Sequence, residues 1–130
     1  MPNRKLSARI AGVLIILHGS IELLGLVFID SMSNTLISFS GLTGASLEQN
    51  ALVVGMFGAL WGIARLIAAV GIWSLRKWAM VLGIILSLVT IVAAIMIIPA
   101  GVGDTLFALP ALILLLYSWY GSEIKEINGG

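Results

Sequence analysis

Leu60–Leu82 reads LWGIARLIAAVGIWSLRKWAMVL, and it holds one charge in mid-run and two at a turn. Arg65 lies inside a long apolar stretch. Arg76 and Lys77 lie between two such stretches. A charge at the centre of a membrane helix costs about 2.5–3.5 kcal/mol on insertion scales, so Arg65 requires an inward-facing partner. A basic pair between two spans marks the cytoplasmic end of a hairpin, and links of roughly 2–5 residues join antiparallel helices.

Composition agrees with a membrane location. Of 130 residues, 60% are hydrophobic and 10% charged, and the mean hydropathy is +1.14. An ordinary soluble domain is about 45–50% apolar and about 25% charged. The chain therefore has too little polar surface to cover itself in water. Its length leaves room for a few spans in one domain. Without cysteine there is no disulfide, thiolate nucleophile or sulfur-ligated metal, and one histidine makes no metal site alone. A net charge of +1 offers no binding stripe for nucleic acid.

Four spans follow from the apolar runs. The first is expected over residues 6–29, a retained span rather than a cleaved leader, since its apolar run is about 20 residues long and contains Glu22. A polar outer loop over 30–46 follows, with Thr35–Phe39 (TLISF) as a short interfacial segment. Ser46 and Gln49 have capping-box spacing, which predicts a second span over 47–75. At 1.5 Å per residue that helix exceeds a hydrocarbon core of about 30 Å, so it tilts or projects. The third span is expected over 78–98 and the fourth over 105–120, capped by Asp104 or Thr105 and containing Pro110 in its second turn; a polar tail covers 121–130. The fold class is an all-α integral membrane four-helix bundle.

This arrangement sets the charges apart. Arg4, Lys5, Arg9, Arg76, Lys77 and Lys125 fall on one side, and the opposite loops contain no Lys or Arg. The positive-inside rule then places both termini in the cytoplasm and Asp30, Glu48 and Asp104 outside. Trp73, Trp78, Tyr117, Trp119 and Tyr120 gather at the same inner boundary, as an aromatic belt does.

Membrane helices associate through small residues and a few hydrogen bonds. The second span presents Gly58 and Gly62 in a GxxxG pair on the face of Arg65, and the third presents Gly83, Ser87, Thr90 and Ala94. A close hairpin between these stripes is the simplest expectation, with a dimer surface as the other use of the same glycines. The first span carries Gly12, Gly19 and Glu22 on one face, with His18 one turn before Glu22.

His18, Glu22 and Arg65 are thus the ionisable groups expected in the apolar interior. Glu22 and Arg65 are the available opposite charges, and His18 can bond Glu22 or a backbone carbonyl. Two readings follow. The cluster is a clasp that fixes helix order, or it is a proton or substrate site in mid-membrane. A haem or metal site at His18 has no second ligand of the usual kind, so no cofactor is expected. The chain has no G-x-S-x-G elbow, H-E-x-x-H pair or phosphate loop, and a non-enzymatic protein is expected. Expected partners are the lipid bilayer and either a second copy or another membrane protein.

The run RLIAAVGIWSLRKWAMVLGIILSLVTIV resembles the core signature of a group of small prokaryotic four-span membrane proteins catalogued only as a domain of unknown function. In that pattern an Arg precedes a Gly-aliphatic-Trp segment, a basic turn and Trp-Ala, matched by Arg65, Gly71-Ile72-Trp73, Arg76-Lys77 and Trp78-Ala79. The resemblance covers the hairpin and loosely the fourth span. It implies the four-span fold and no activity. The size and the first-span carboxylate Glu22 are similar to those of small multidrug resistance transporters. The longer outer loop, Arg65 and the one-sided basic residues depart from that pattern.

Overall fold

The computed structural model describes residues 3–27, 44–96 and 101–120, with side chains described except at 26 and 44–55. Four helices make up the described chain: α1 (Arg4–Val27), α2 (Gly44–Trp73), α3 (Lys77–Met96) and α4 (Val102–Trp119). All four are long and apolar enough to cross a membrane. Residues 30–43 of the expected outer loop, including TLISF, and the tail 121–130 lie outside the described residues.

The helices form a closed ring. α1 packs on α2 and α4, α3 packs on α4 and α2, and the two diagonal pairs scarcely touch. Neighbours run antiparallel. Gly12 lies by Ile72 and Gly19 by Gly62; at the other seam Arg4 meets Tyr117 and His18 meets Asp104. The start of α1 and the end of α4 therefore share one end of the bundle with the α2–α3 turn.

Small residues let the backbones approach. Ala8, Ala11, Ala68, Ala69, Ala79 and Ala111 are all essentially sealed, and Ile72, Met80 and Leu115 are the largest fully buried apolar side chains. In lipid this close contact, rather than expulsion of water, supplies much of the attraction. The outward faces carry the large apolar residues, among them Leu60, Ile67, Val70, Val92 and Ile113.

The expected contact between the α2 and α3 small-residue stripes is replaced by a different one. Gly62 crosses Gly19 of α1 so closely that a Cβ on Gly62 would stand 2.8 Å from the Gly19 carbonyl oxygen, and one on Gly19 would stand 2.9 Å from the Gly62 oxygen. Gly58 has nothing within 4 Å of its Cβ position. Gly83 faces Ile72, Leu115 and Ile15, one residue from each other helix, and so marks the middle of the bundle. Ser87 is buried on the same face of α3. α2 and α3 approach closely at the turn, where a Cβ on Gly71 would overlap Ala79 Cβ, and further along they meet through Gly83 against Ile72 and Arg65 against Thr90.

That turn explains why the hairpin is so short. Leu75 N–H donates to Ile72 O and Arg76 N–H to Gly71 O, both at 2.9 Å, the two bonds of a Schellman motif. The motif requires a left-handed residue, and Leu75 takes it with φ 56°. A non-glycine residue there costs roughly 1–2 kcal/mol, offset by Leu75 being buried in the core.

Two helix starts differ from expectation. α2 begins at Gly44, so Ser46 lies within the helix rather than before it. α4 begins at Val102 with Gly101 at the N-cap and no side-chain cap; Thr105 Oγ1 donates back to Gly101 O at 3.1 Å. Asp104 is thereby released from capping, and Pro110 moves to the third turn.

Candidate functional site: a polar network through all four helices

α1 delivers His18 and Glu22 one turn apart on the face it turns inward. His18 is 3% exposed, and Glu22 Oε1 lies 4.0 Å from its Nε2. The crossing of Gly19 over Gly62 brings α2 close enough for Arg65 to reach Glu22. Arg65 Nη1 and Glu22 Oε2 form an ion pair, both atoms sealed from the surface.

The other arm of Arg65 goes to α3, where Nη2 donates to Thr90 Oγ1. The Thr90 hydroxyl in turn donates to Leu86 O at 2.8 Å. A hydroxyl offers one donor and accepts at its lone pairs, so Thr90 satisfies the guanidinium and its own helix together. At the opposite end, His18 Nε2 stands 3.1 Å from Asp104 Oδ1 on α4. The ring of Phe107 sits 5.4 Å from the imidazole, centroid to centroid, tilted by 31°. Asp104 is in the first turn of α4, where the helix N-terminus favours a negative charge.

The result is a continuous sequence of polar contacts, Asp104 to His18 to Glu22 to Arg65 to Thr90, with a member on every helix. Of the residues singled out from sequence, His18, Glu22 and Arg65 are brought together here. Gly62 supports the crossing beneath them, while Gly58, Gly83 and Ser87 lie outside the network. Two members were not foreseen. The sequence alone presents Asp104 as an outward-facing cap of the fourth span and Thr90 as one of a stripe of small residues. Its position among Gly83, Ser87 and Ala94 on the buried side of α3 was the available signal.

Beside the network, α2 and α3 diverge away from their turn and leave a cleft of ≈ 410 Å³. Phe57, Gly58, Trp61, Val89 and Ala93 form its apolar walls; Glu22, Arg65, Thr90 and Asp104 supply its polar lining. Arg65 is only 4% exposed and is held by two partners, whereas the Asp104 side chain is 46% exposed. The charge most open to a visitor is therefore a carboxylate.

At the turn end of the bundle the basic residues meet aromatic ones. Arg4 Nη1 donates to Tyr117 O at 3.1 Å, and its guanidinium lies 4.8 Å from the Tyr117 ring centre. Arg9 lies 5.6 Å from the Trp73 ring, and Ser118 Oγ donates to Arg4 O at 2.9 Å. These contacts tie α1 to α2 and α4 where an interfacial belt belongs.

Fold and site together define a four-helix, multi-pass class of membrane protein with an internal polar network. No family model, no curated protein and no solved structure matches this chain.

Proposed function

We propose that this chain is a non-enzymatic integral membrane protein with both termini in the cytoplasm, acting as a structural or accessory subunit that assembles with a second copy or another membrane protein. The observation that carries this reading is that one polar network engages all four helices. In hydrocarbon each polar side chain strongly disfavours any arrangement that leaves it unpaired, so the network selects a single order of helices. The resemblance of Arg65–Val92 to small four-span proteins of unknown function is consistent with this and adds no activity. The clasp is tested by Glu22→Gln and Asp104→Asn, read as resistance to unfolding in mild detergent. Both are expected to lower it, and wild-type resistance in both variants would overturn the reading.

The cleft supports a second reading, a small proton-coupled transporter or channel using Glu22, because the lining of the cleft includes that carboxylate. Here the test is function. Proteoliposomes would show a pH-driven flux that Glu22→Gln abolishes, and a flux unchanged by that substitution removes Glu22 from the role.

A further inference from the structure

The cleft between α2 and α3 has a chemistry that the clasp does not use. Its volume of ≈ 410 Å³ falls in the usual range for small-molecule sites, about 300–1,000 Å³, and such sites are mostly apolar with a few placed polar groups. The apolar part is present, with Trp61 and Phe57 offering aromatic surface. Gly58 keeps one wall flat, since nothing lies within 4 Å of its Cβ position.

The charges decide what fits. Arg65 is engaged by Glu22 and by Thr90, so its guanidinium is already neutralised and almost fully buried. Asp104 shares Oδ1 with His18 and keeps nearly half of its side chain exposed. A ligand in this cleft finds a half-exposed carboxylate and two aromatic rings in its lining. An anion would meet that carboxylate without a free cation to receive it, and burying a charge unpaired is costly. An ammonium gains the carboxylate and, over an aromatic face, a cation–π attraction.

We infer that this cleft binds a small organic cation with an apolar body, its ammonium at Asp104 and its body against Trp61 and Phe57. The inference goes beyond the scaffold role, and Gly58→Leu, at a position outside the polar network with nothing within 4 Å of its Cβ, tests it apart from that role. It also differs from a site centred on Glu22, whose charge is already spent on Arg65.

The test uses the full-length protein in lipid nanodiscs, with empty nanodiscs as the blank, and three probes of similar size. Benzyltrimethylammonium carries the charge, 2,2-dimethylpropylbenzene is its neutral carbon analogue, and benzylsulfonate is anionic. Saturable binding of benzyltrimethylammonium at one site per chain is expected by equilibrium dialysis. Asp104→Asn removes the charge that attracts a quaternary ammonium without any N–H, and should weaken binding about ten- to a hundredfold, between the Coulomb energy of such a pair in water and near a protein surface, and leave the neutral analogue unaffected. Trp61→Leu should weaken the cation by roughly two- to fivefold. Gly58→Leu fills the cleft at a position with open space and should abolish saturable binding, and unchanged resistance to unfolding verifies that the bundle is intact. Binding equal to the blank overturns the inference. So does cation binding indifferent to both Asp104→Asn and Gly58→Leu, or a preference for benzylsulfonate.

Discussion

Gly62→Ala is the substitution whose cost the structure specifies most closely. The new methyl would stand 2.8 Å from the Gly19 carbonyl oxygen and 3.3 Å from both Glu22 Cβ and Leu23 Cγ. Ordinary contact begins at 3.4 Å, so α1 and α2 must separate by about half an ångström, and the oxygen belongs to a helical backbone that does not swing aside. Overpacking of this kind costs typically 1–3 kcal/mol. The upper half of that range is expected because the same movement draws Glu22 away from Arg65. Gly58→Ala supplies the comparison on the same helix, one turn away. Its methyl meets nothing within 4 Å, and the gain in helix propensity over glycine leaves it neutral or more stable by up to about 1 kcal/mol. Unfolding would be followed by circular dichroism while a denaturing detergent is titrated into a mild one. If Gly58→Ala costs as much as Gly62→Ala, the GxxxG pair serves a contact other than the α1–α2 crossing, and the reasoning fails.

Further outcomes follow from the same geometry. Gly71→Ala should destabilise the hairpin by about 2 kcal/mol or more, since its methyl would overlap Ala79 Cβ and press on the Trp78 ring; a thermal melt of the purified variant checks this. Thr90→Val keeps the shape and removes the hydroxyl that receives Arg65, so a loss of about 1–3 kcal/mol is expected in the same detergent titration. The absence of cysteine allows single cysteines to be introduced at Lys5 or Arg76. Both should react with a membrane-impermeant maleimide only after cells are opened, and labelling of intact cells would reverse the orientation.

Much of this bundle was legible because hydrocarbon imposes few solutions. Unbroken apolar runs must be helices there, since only an internally bonded backbone is tolerated. Arg76 and Lys77 forced a tight turn, and the Schellman bonds around Leu75 show how three residues accomplish it. Arg65 required a partner, and Glu22 was the acid within reach. What escaped was which neighbours touch. The small-residue stripe on α2 pointed to a close companion without saying which helix it was, and adjacency along the chain favoured α3. Instead α1 takes that face, because Gly19 opposite Gly62 permits backbone contact whereas α3 offers Val89 and Ala93 across the cleft from Gly58.

Asp104 escaped for a different reason. Cap signals are local, and Gly-Asp-Thr reads as a helix start wherever it occurs. Only the pairing of α1 with α4 gives Asp104 its level. From the end where Arg4 meets Tyr117, both His18 and Asp104 lie about 20 Å along their helices at 1.5 Å per residue. Two aligned heights and an antiparallel seam bring them to 3.1 Å. The seam itself is a tertiary fact, set by Ser118 and Tyr117 meeting Arg4 and by the small residues Ala108 and Ala111 that α4 buries.

The central claim is that Glu22 and Arg65 form the buried pair at the middle of the network that links the four helices. A double-mutant cycle with Glu22→Gln and Arg65→Met measures it, each protein being unfolded reversibly in mixed detergent. Removing one partner of a buried pair costs about 3–5 kcal/mol, because the other is left charged and alone. Removing both relieves that penalty, so the double variant should be more stable than the sum of the single losses allows, with a coupling of about 1–3 kcal/mol. Additive losses, with no coupling between the two positions, contradict the clasp.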